Sequence, residues 1–402
     1  MRTSRFPFAL LASAAFVGVA PAAAQAPLKT LTKPDVEYEE PFTVISAVRE
    51  LRDGRVVVSD VREKTVQLID LEAGSATKIG REGSGPGEYA MPARLLALPG
   101  DTSVVYDPLN RRFLTIGPDG KPGAFVSYED DDAPGRGRGA VRLTLGARYT
   151  DARGRMYTQG PSFSIGPDGA PTSADTAPII RLDRATKKVD TIAWVHVPTT
   201  TIRTSQGGQN VSIRAGGGNP FAAVDDWAVM PDGRVAVVRV KEYRVDWYAP
   251  NGQRTSGPAI AYEKIKVTDE DKKQWRERRA SGAGGTAFVI TQRDGPGGTQ
   301  RSAGVAPPST LNIPEPTDWP EVKPAFTAQA AIGAPNGQLW VLRTRKATDK
   351  VPTYDVIDAN GRVVNRVALP QNTRLVGFGN GTVYLARSDE DDLQYLQRYR
   401  MP

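Results

Sequence analysis

Counting six residues back from the glycine of a recurring turn gives Val48, Arg94, Arg148, Trp227, Ala331 and Leu375, with Arg49 and Arg374 next door. Several arginines and one tryptophan around a common axis would hold a carboxylate, a sugar acid or a peptide terminus. A guanidinium fork donates parallel hydrogen bonds to an oxyanion, and an indole face attracts cations. Arg49, Arg94, Arg148, Trp227 and Arg374 are the candidate ligand-binding residues on this count. The structural alternative is that these arginines pair with carboxylates such as Glu50 or Asp226.

Other chemistries are poorly supplied. His196 is the only histidine, and beside Trp194 it reads as a packed or surface residue. No Ser-His-Asp set and no zinc motif can be assembled around it. A divalent cation held by Glu, Asn and Asp needs only oxygen ligands, although no EF-hand-like or repeated Asp loop is present. The acidic runs 129–132 and 389–392 read as solvated loops. The glycine-rich run 79–92 (IGREGSGPGEYAMP) is followed by neither a Lys-Ser/Thr pair nor a helix, so it is a poor phosphate cradle. No catalytic residue, metal site or cofactor is assigned.

The candidate positions depend on a repeated unit. Five turns share Pro, then Asp or Asn, then Gly: Pro118-Asp119-Gly120, Pro167-Asp168-Gly169, Pro231-Asp232-Gly233, Pro250-Asn251-Gly252 and Pro335-Asn336-Gly337. Pro presets the first dihedral, Asp or Asn bonds its own backbone, and Gly takes the positive φ. Asp53-Gly54, Asn360-Gly361 and Asn380-Gly381 are the same turn without Pro. Each lies between β-rich runs such as RVVVSD and RVAVVRV. Full units run over 42–80, 93–129, 143–198, 221–262 and 325–370, and a last one starts near Thr373. Irregular four-stranded units of ~40–50 residues are the mark of a β-propeller.

The last unit has three strands, and segment 36–40 precedes the first unit with no unit of its own. An open sheet edge beside the first blade is a liability, so the N-terminal strand is expected to close the last blade. The prediction is an all-β, six-bladed propeller over 35–402. Residues 199–219, polar and glycine-rich, read as a mobile loop. Residues 264–324 form a long insertion between blades four and five. It opens with a capping box at Thr268 and acids on the first turn, then a short helix over 272–280. Trp275 is the one large apolar residue of that helix, so the helix is expected on the surface, pinned by this ring. Residues 281–310 read as flexible.

Arg2, Arg5, the apolar stretch 6–20 and the AAAQA sequence read as a signal peptide over 1–26, cleaved after a small residue. Export to a periplasmic or extracellular location follows. The chain has no Cys, which excludes disulfides and an acylated lipoprotein anchor. The charge is +7, or +5 without Arg2 and Arg5. The basic residues do not cluster with aromatics, which argues against nucleic acid.

Residues 79–92 followed by VVYDPLNRR (104–112) resemble the NHL-repeat consensus. There a glycine-rich run closes one blade and a Val-Asp-x-x-Asn-x-Arg strand follows, matched by Asp107, Asn110 and Arg111. The match covers about 79–120; blade one has Asp60 but Lys64 in place of Asn. The chain as a whole looks like exported six-bladed propellers of the NHL-like or TolB-like group. Asp107 and Asn110 are expected to satisfy turn backbone groups, Arg111 to reach a neighbouring blade, the glycines to permit a close crossing, and Glu88 to cap or pair with Arg81.

With no catalytic constellation, the expected function is a non-enzymatic binding or scaffold module of the cell envelope. Its partner would be an envelope protein or a small acidic or carbohydrate ligand. The alternatives are a metal-assisted lactonase-like hydrolase or lyase, and a sensor partner of a membrane complex.

Overall fold

The computed structural model describes residues 26–402 except 111, 127–145, 166–170, 199–200, 205–210, 215–218, 281–286, 296–297 and 307–314. The expected signal segment (apart from Ala26), the acidic run 129–132, Arg111 and the turn at Asp168 lie outside the described residues.

Valine-rich strands explain the architecture. Val56, Val57 and Val58 are all fully buried, which a sheet with one wet face would not allow. Alternation sends Val56 and Val58 to one side, where they pack with Ile45, Tyr384 and Leu396. Val57 goes to the other side, with Leu95, Val105 and Leu114. Likewise Val235 and Val237 pack with Tyr157 and Ile179, and Ala236 and Val238 with Phe326 and Val341. Both faces of each sheet are therefore core, and the sheets stack face to face around an axis. Each such valine contributes roughly 1.5–3 kcal/mol.

Six blades result. Their inner strands are Ile45–Glu50, Arg94–Leu98, Tyr149–Thr150, Asp226–Val229, Ala331–Gly333 and Thr373–Phe378. Each inner strand pairs antiparallel with the next strand outward. Val36–Glu37 is the outermost strand of blade six, pairing with Gln397 and Arg398, as the open edge requires. Leu28–Thr30 adds a strand that the sequence reading did not foresee: it lies parallel to Val363–Ala368 as the fifth strand of blade five. Three residues are too few to show a period.

The glycine-rich junction is a close crossing. Gly80 has φ +65°, and a Cβ there would sit 2.4 Å from the Gly87 carbonyl oxygen. Arg81 donates to Glu88 at 2.7 Å.

The excursions correct two expectations. Thr201–Thr204 and Val211–Arg214, expected as a mobile loop, pair antiparallel. Ala287–Gly295 and Gly298–Ala306, expected to be flexible, form a hairpin. The two hairpins join in one four-stranded sheet through Ser212 and Thr291. Composition hides this, because glycine-rich polar runs carry no apolar alternation, and the single bridge between the hairpins joins residues far apart in sequence.

The helix spans Asp269–Ala280. Thr268 and Asp271 exchange the capping bonds, at 2.9 and 3.4 Å. Trp275 meets Trp319 edge-on at 6.0 Å. The expectation that this ring alone pins the helix is incomplete. Asp271 is buried, and Lys323, itself 2% exposed, donates to it at 2.5 Å.

Candidate functional site

The inner strands carry a belt of arginines, each reaching into the following blade. Arg49 of blade one meets Asp101 of blade two at 3.0 Å and also bonds Ser103. Arg94 of blade two donates to the Ala147 carbonyl at 3.1 Å, at the entry to blade three. Arg148, at the entry to blade three, meets Asp226 of blade four at 2.9 Å. Arg374 of blade six donates to the Ile45 carbonyl of blade one at 2.8 Å and to Gln394 at 3.2 Å.

Of the five candidate residues, the structure brings Arg148 and Trp227 together. The Arg148 guanidinium lies 5.3 Å from the Trp227 ring and 5.2 Å from the Tyr149 ring. Trp227 is fully buried, and its indole N–H donates to Gln159 at 3.0 Å. It therefore offers a ligand neither a polar atom nor ring surface and acts as packing behind Arg148. Arg94 acts electrostatically on Tyr149. Arg49 sits at the other end of its strand, beside the first turn of blade two, and Arg374 lies at the junction of blades five, six and one. The structural alternative holds for Asp226 and fails for Glu50. Glu50 accepts from Asn380 N, Thr382 Oγ1 and the Tyr384 hydroxyl, tying blade one to blade six.

Tyr149 was missed, because the turn count selects Arg148 and passes its neighbour. Its ring packs edge-on against Trp227 at 5.1 Å. Burial pushes the Tyr149 phenol up, against the pull of Arg148, so it is a neutral donor. For Arg148, burial opposes the charge, but the Asp226 carboxylate at 2.9 Å offsets it. The result is a fixed cation with 22% side-chain exposure, one carboxylate partner and two aromatic walls.

The other residues are structural. Asp107 accepts from Ala90 N, Met91 N, Asn110 N and Asn110 Nδ2. Asp60 does the same for Thr43, Val44, Arg62 and Glu63. Arg112 reaches the carbonyls of Ser84, Gly85 and Glu88, an interblade contact of the kind expected of Arg111. The His196 Nδ1 is 3.9 Å from Asp175. Asp389 caps its own loop through Asp391 N and Leu393 N. Among the described residues no three His, Asp or Glu side chains converge as a metal site would need. No described helix is long and apolar enough to cross a membrane.

No family model matches the sequence, and no curated protein matches it. Solved structures do. A calcium-binding protein, regucalcin, from Agrobacterium tumefaciens is 10% identical over 92% of this chain and 95% of its own, with a TM-score of 0.38. Virginiamycin B lyase from Staphylococcus aureus is 11% identical over 91% and 98%, TM-score 0.34. A gluconolactonase from Xanthomonas campestris is 10% identical over 90% and 91%, TM-score 0.37. Two of these structures are named as a lyase and a gluconolactonase, and the expectation of a non-enzymatic binding or scaffold module is not carried further. At these identities the likeness speaks for the six-bladed fold and selects no reaction.

Proposed function

We propose that this protein is a hydrolase or lyase acting on a small carboxylate-bearing or lactone substrate at the blade three–four wall of the channel. The observation that carries it is Arg148, fixed by Asp226 and flanked by Tyr149 and Trp227. A guanidinium already oriented in a low-dielectric cleft stabilises a developing oxyanion without reorganising. Arg94 adds a second positive charge. Tyr149, kept neutral by burial and bonded to the Trp227 and Ala331 carbonyls, fixes the wall against which Arg148 is held. Of the five residues picked from sequence, Arg94 and Arg148 belong to this site and Trp227 packs behind it; Arg49 and Arg374 stand outside it.

The test is a turnover screen of lactones, sugar-acid esters and uronic-acid glycosides on purified protein. Turnover lost in Arg148→Met supports the reading. No turnover by the wild type across the panel sinks it.

We further infer that the chain is an exported propeller of NHL type. Residues 1–26 read as a signal peptide, and the Asp107–Asn110 turn fits that repeat. N-terminal sequencing of protein secreted from a double-membrane bacterium tests export; an intact Met1 would refute it. A single propeller over 35–402 with an insertion at 264–324 is part of the same proposal.

A further inference from the structure

Gln371 and Asn372 precede the inner strand of blade six, Thr373–Phe378, and the next strand, Thr382–Ser388, runs into Asp389 and Glu390. Thr373 pairs with Arg387, and Ser388 N donates to the Asn372 carbonyl at 2.9 Å, so the two segments lie side by side. They enclose a cleft of about 330 Å³ lined by Gln371, Asn372, Arg387, Ser388, Asp389 and Glu390. Sites for small molecules begin at about this size. Every lining side chain is polar.

Two of the six are fixed in place and still have hydrogen-bonding capacity. Arg387 spends Nε and Nη2 on Glu37, at 3.0 and 2.9 Å, and its guanidinium lies 4.5 Å from the Tyr395 ring. Its Nη1 makes no hydrogen bond among the described residues. Asp389 spends Oδ1 on Asp391 N and Leu393 N, at 3.0 and 2.9 Å. Its Oδ2 makes none among the described residues. A positioned donor and a positioned acceptor thus border one cleft.

The other four side chains are unspent. Gln371, Asn372, Ser388 and Glu390 make no side-chain hydrogen bond or ion pair among the described residues. Turn residues elsewhere do not look like this: Asp119, Asn251 and Asn336 each close their own turn. The charge balance is also one-sided. Glu37 already answers Arg387, so Asp389 and Glu390 leave the cleft negative.

We propose that this cleft binds a hydroxylated ring bearing an ammonium group, an amino sugar. Amides and hydroxyls both donate and accept, which is what adjacent ring hydroxyls require, and Gln371, Asn372 and Ser388 supply them. Arg387 Nη1 donates to a ring oxygen, and the free Asp389 oxygen and Glu390 take the ammonium. A sugar acid or a phosphate would meet two uncompensated carboxylates. The site belongs to blade six and does not depend on the reaction proposed for Arg148.

Ligand-observed NMR titration of the full chain with glucosamine, glucose and glucuronate tests it, at about pH 6, where an amine is charged and carboxylates are ionised. Glucosamine is expected to bind, glucose about threefold more weakly and glucuronate at least about tenfold more weakly. Glu390→Gln should weaken glucosamine about threefold and leave glucose unchanged. Gln371→Ala should weaken both sugars about threefold. Both side chains are exposed and unbonded, so these variants leave the blade intact. Asn372 is unsuited to the test, because its φ of +58° would strain a replacement. No binding of glucosamine up to about 10 mM, glucuronate or glucose bound as tightly, or glucosamine binding unchanged in both variants overturns the proposal.

Discussion

The Tyr149 hydroxyl lies 3.1 Å from the carbonyl oxygens of both Trp227 and Ala331. One side chain of blade three thus reaches past its neighbour to the inner strand of blade five. A ring of blades is held mainly by pairwise faces, and Tyr149 ties three of them at once.

Replacing Tyr149 with Phe keeps the edge-on contact with Trp227 and removes only the hydroxyl. The two carbonyls lose a shared donor, an expected cost of about 1–2 kcal/mol. A denaturant midpoint lowered with an unchanged slope would show it. A stability equal to wild type would mean that water serves these carbonyls equally well.

Asp226 has a heavier duty. It holds Arg148 with one oxygen and accepts from Ala331 N at 2.7 Å with the other. Asp226→Ala leaves a largely buried guanidinium unpaired and a buried N–H without an acceptor, so a loss of about 3–5 kcal/mol is expected. Asp226→Asn should fall between, because its amide oxygen can still take one of the two bonds. Thermal melts of the three proteins should rank wild type, Asn, Ala; an Ala variant above the Asn variant would contradict the pairing.

The helix at Asp269–Ala280 makes an acid-sensitive prediction. Burial raises Asp271, but the bonds from Lys323 and from Thr268 outweigh it, so its pKa is held below the ordinary aspartate value. A depressed folded-state pKa stabilises the protein above the unfolded value, about 3.9. That stabilisation fades as pH falls through the lower folded value. Fluorescence of Trp275 and Trp319 should therefore change on acidification below about pH 4, and Asp271→Asn should show the altered signal already at neutral pH. A titration identical in wild type and variant would remove Asp271 as the anchor.

What the sequence could show follows from where the partners sit. The blades were legible because Pro-Asp-Gly turns and valine runs are local signals. So was Asp107, since an Asp two residues before Leu109 and three before Asn110 closes its own turn. The arginine belt was half legible: the count placed Arg94, Arg148 and Trp227 on inner strands but could not say that each arginine answers the next blade. Tyr149 was invisible, because its meaning rests on contacts with residues of blades four and five. The Asp271–Lys323 pair, 52 positions apart, was hidden for the same reason.

The N-terminal strand offers the sharpest test of ring closure. Val36 pairs with Arg398 and Glu37 with Gln397, and Glu37 is gripped by Arg387 at 2.9 and 3.0 Å. That Arg387 bond holds the Glu37 carboxyl below its ordinary range, against partial burial and with help from Gln397. The exposed ion pair itself is worth little; its value is register, because it fixes a two-residue strand against the face of Gln394–Arg400. A protein beginning at residue 42 would leave the outward-facing Leu396 and Arg398 carbonyls of that strand without their donors, Tyr38 N and Asp35 N, and would remove the Tyr38 contact with Phe42. Such an edge pairs with another copy of itself. The truncated protein is expected to elute as dimers and larger species in size-exclusion chromatography, while Glu37→Gln in the full chain elutes as wild type with a small loss in Tm. A truncated chain that stays as dispersed and as stable as the wild type would show that blade six closes without its N-terminal strand.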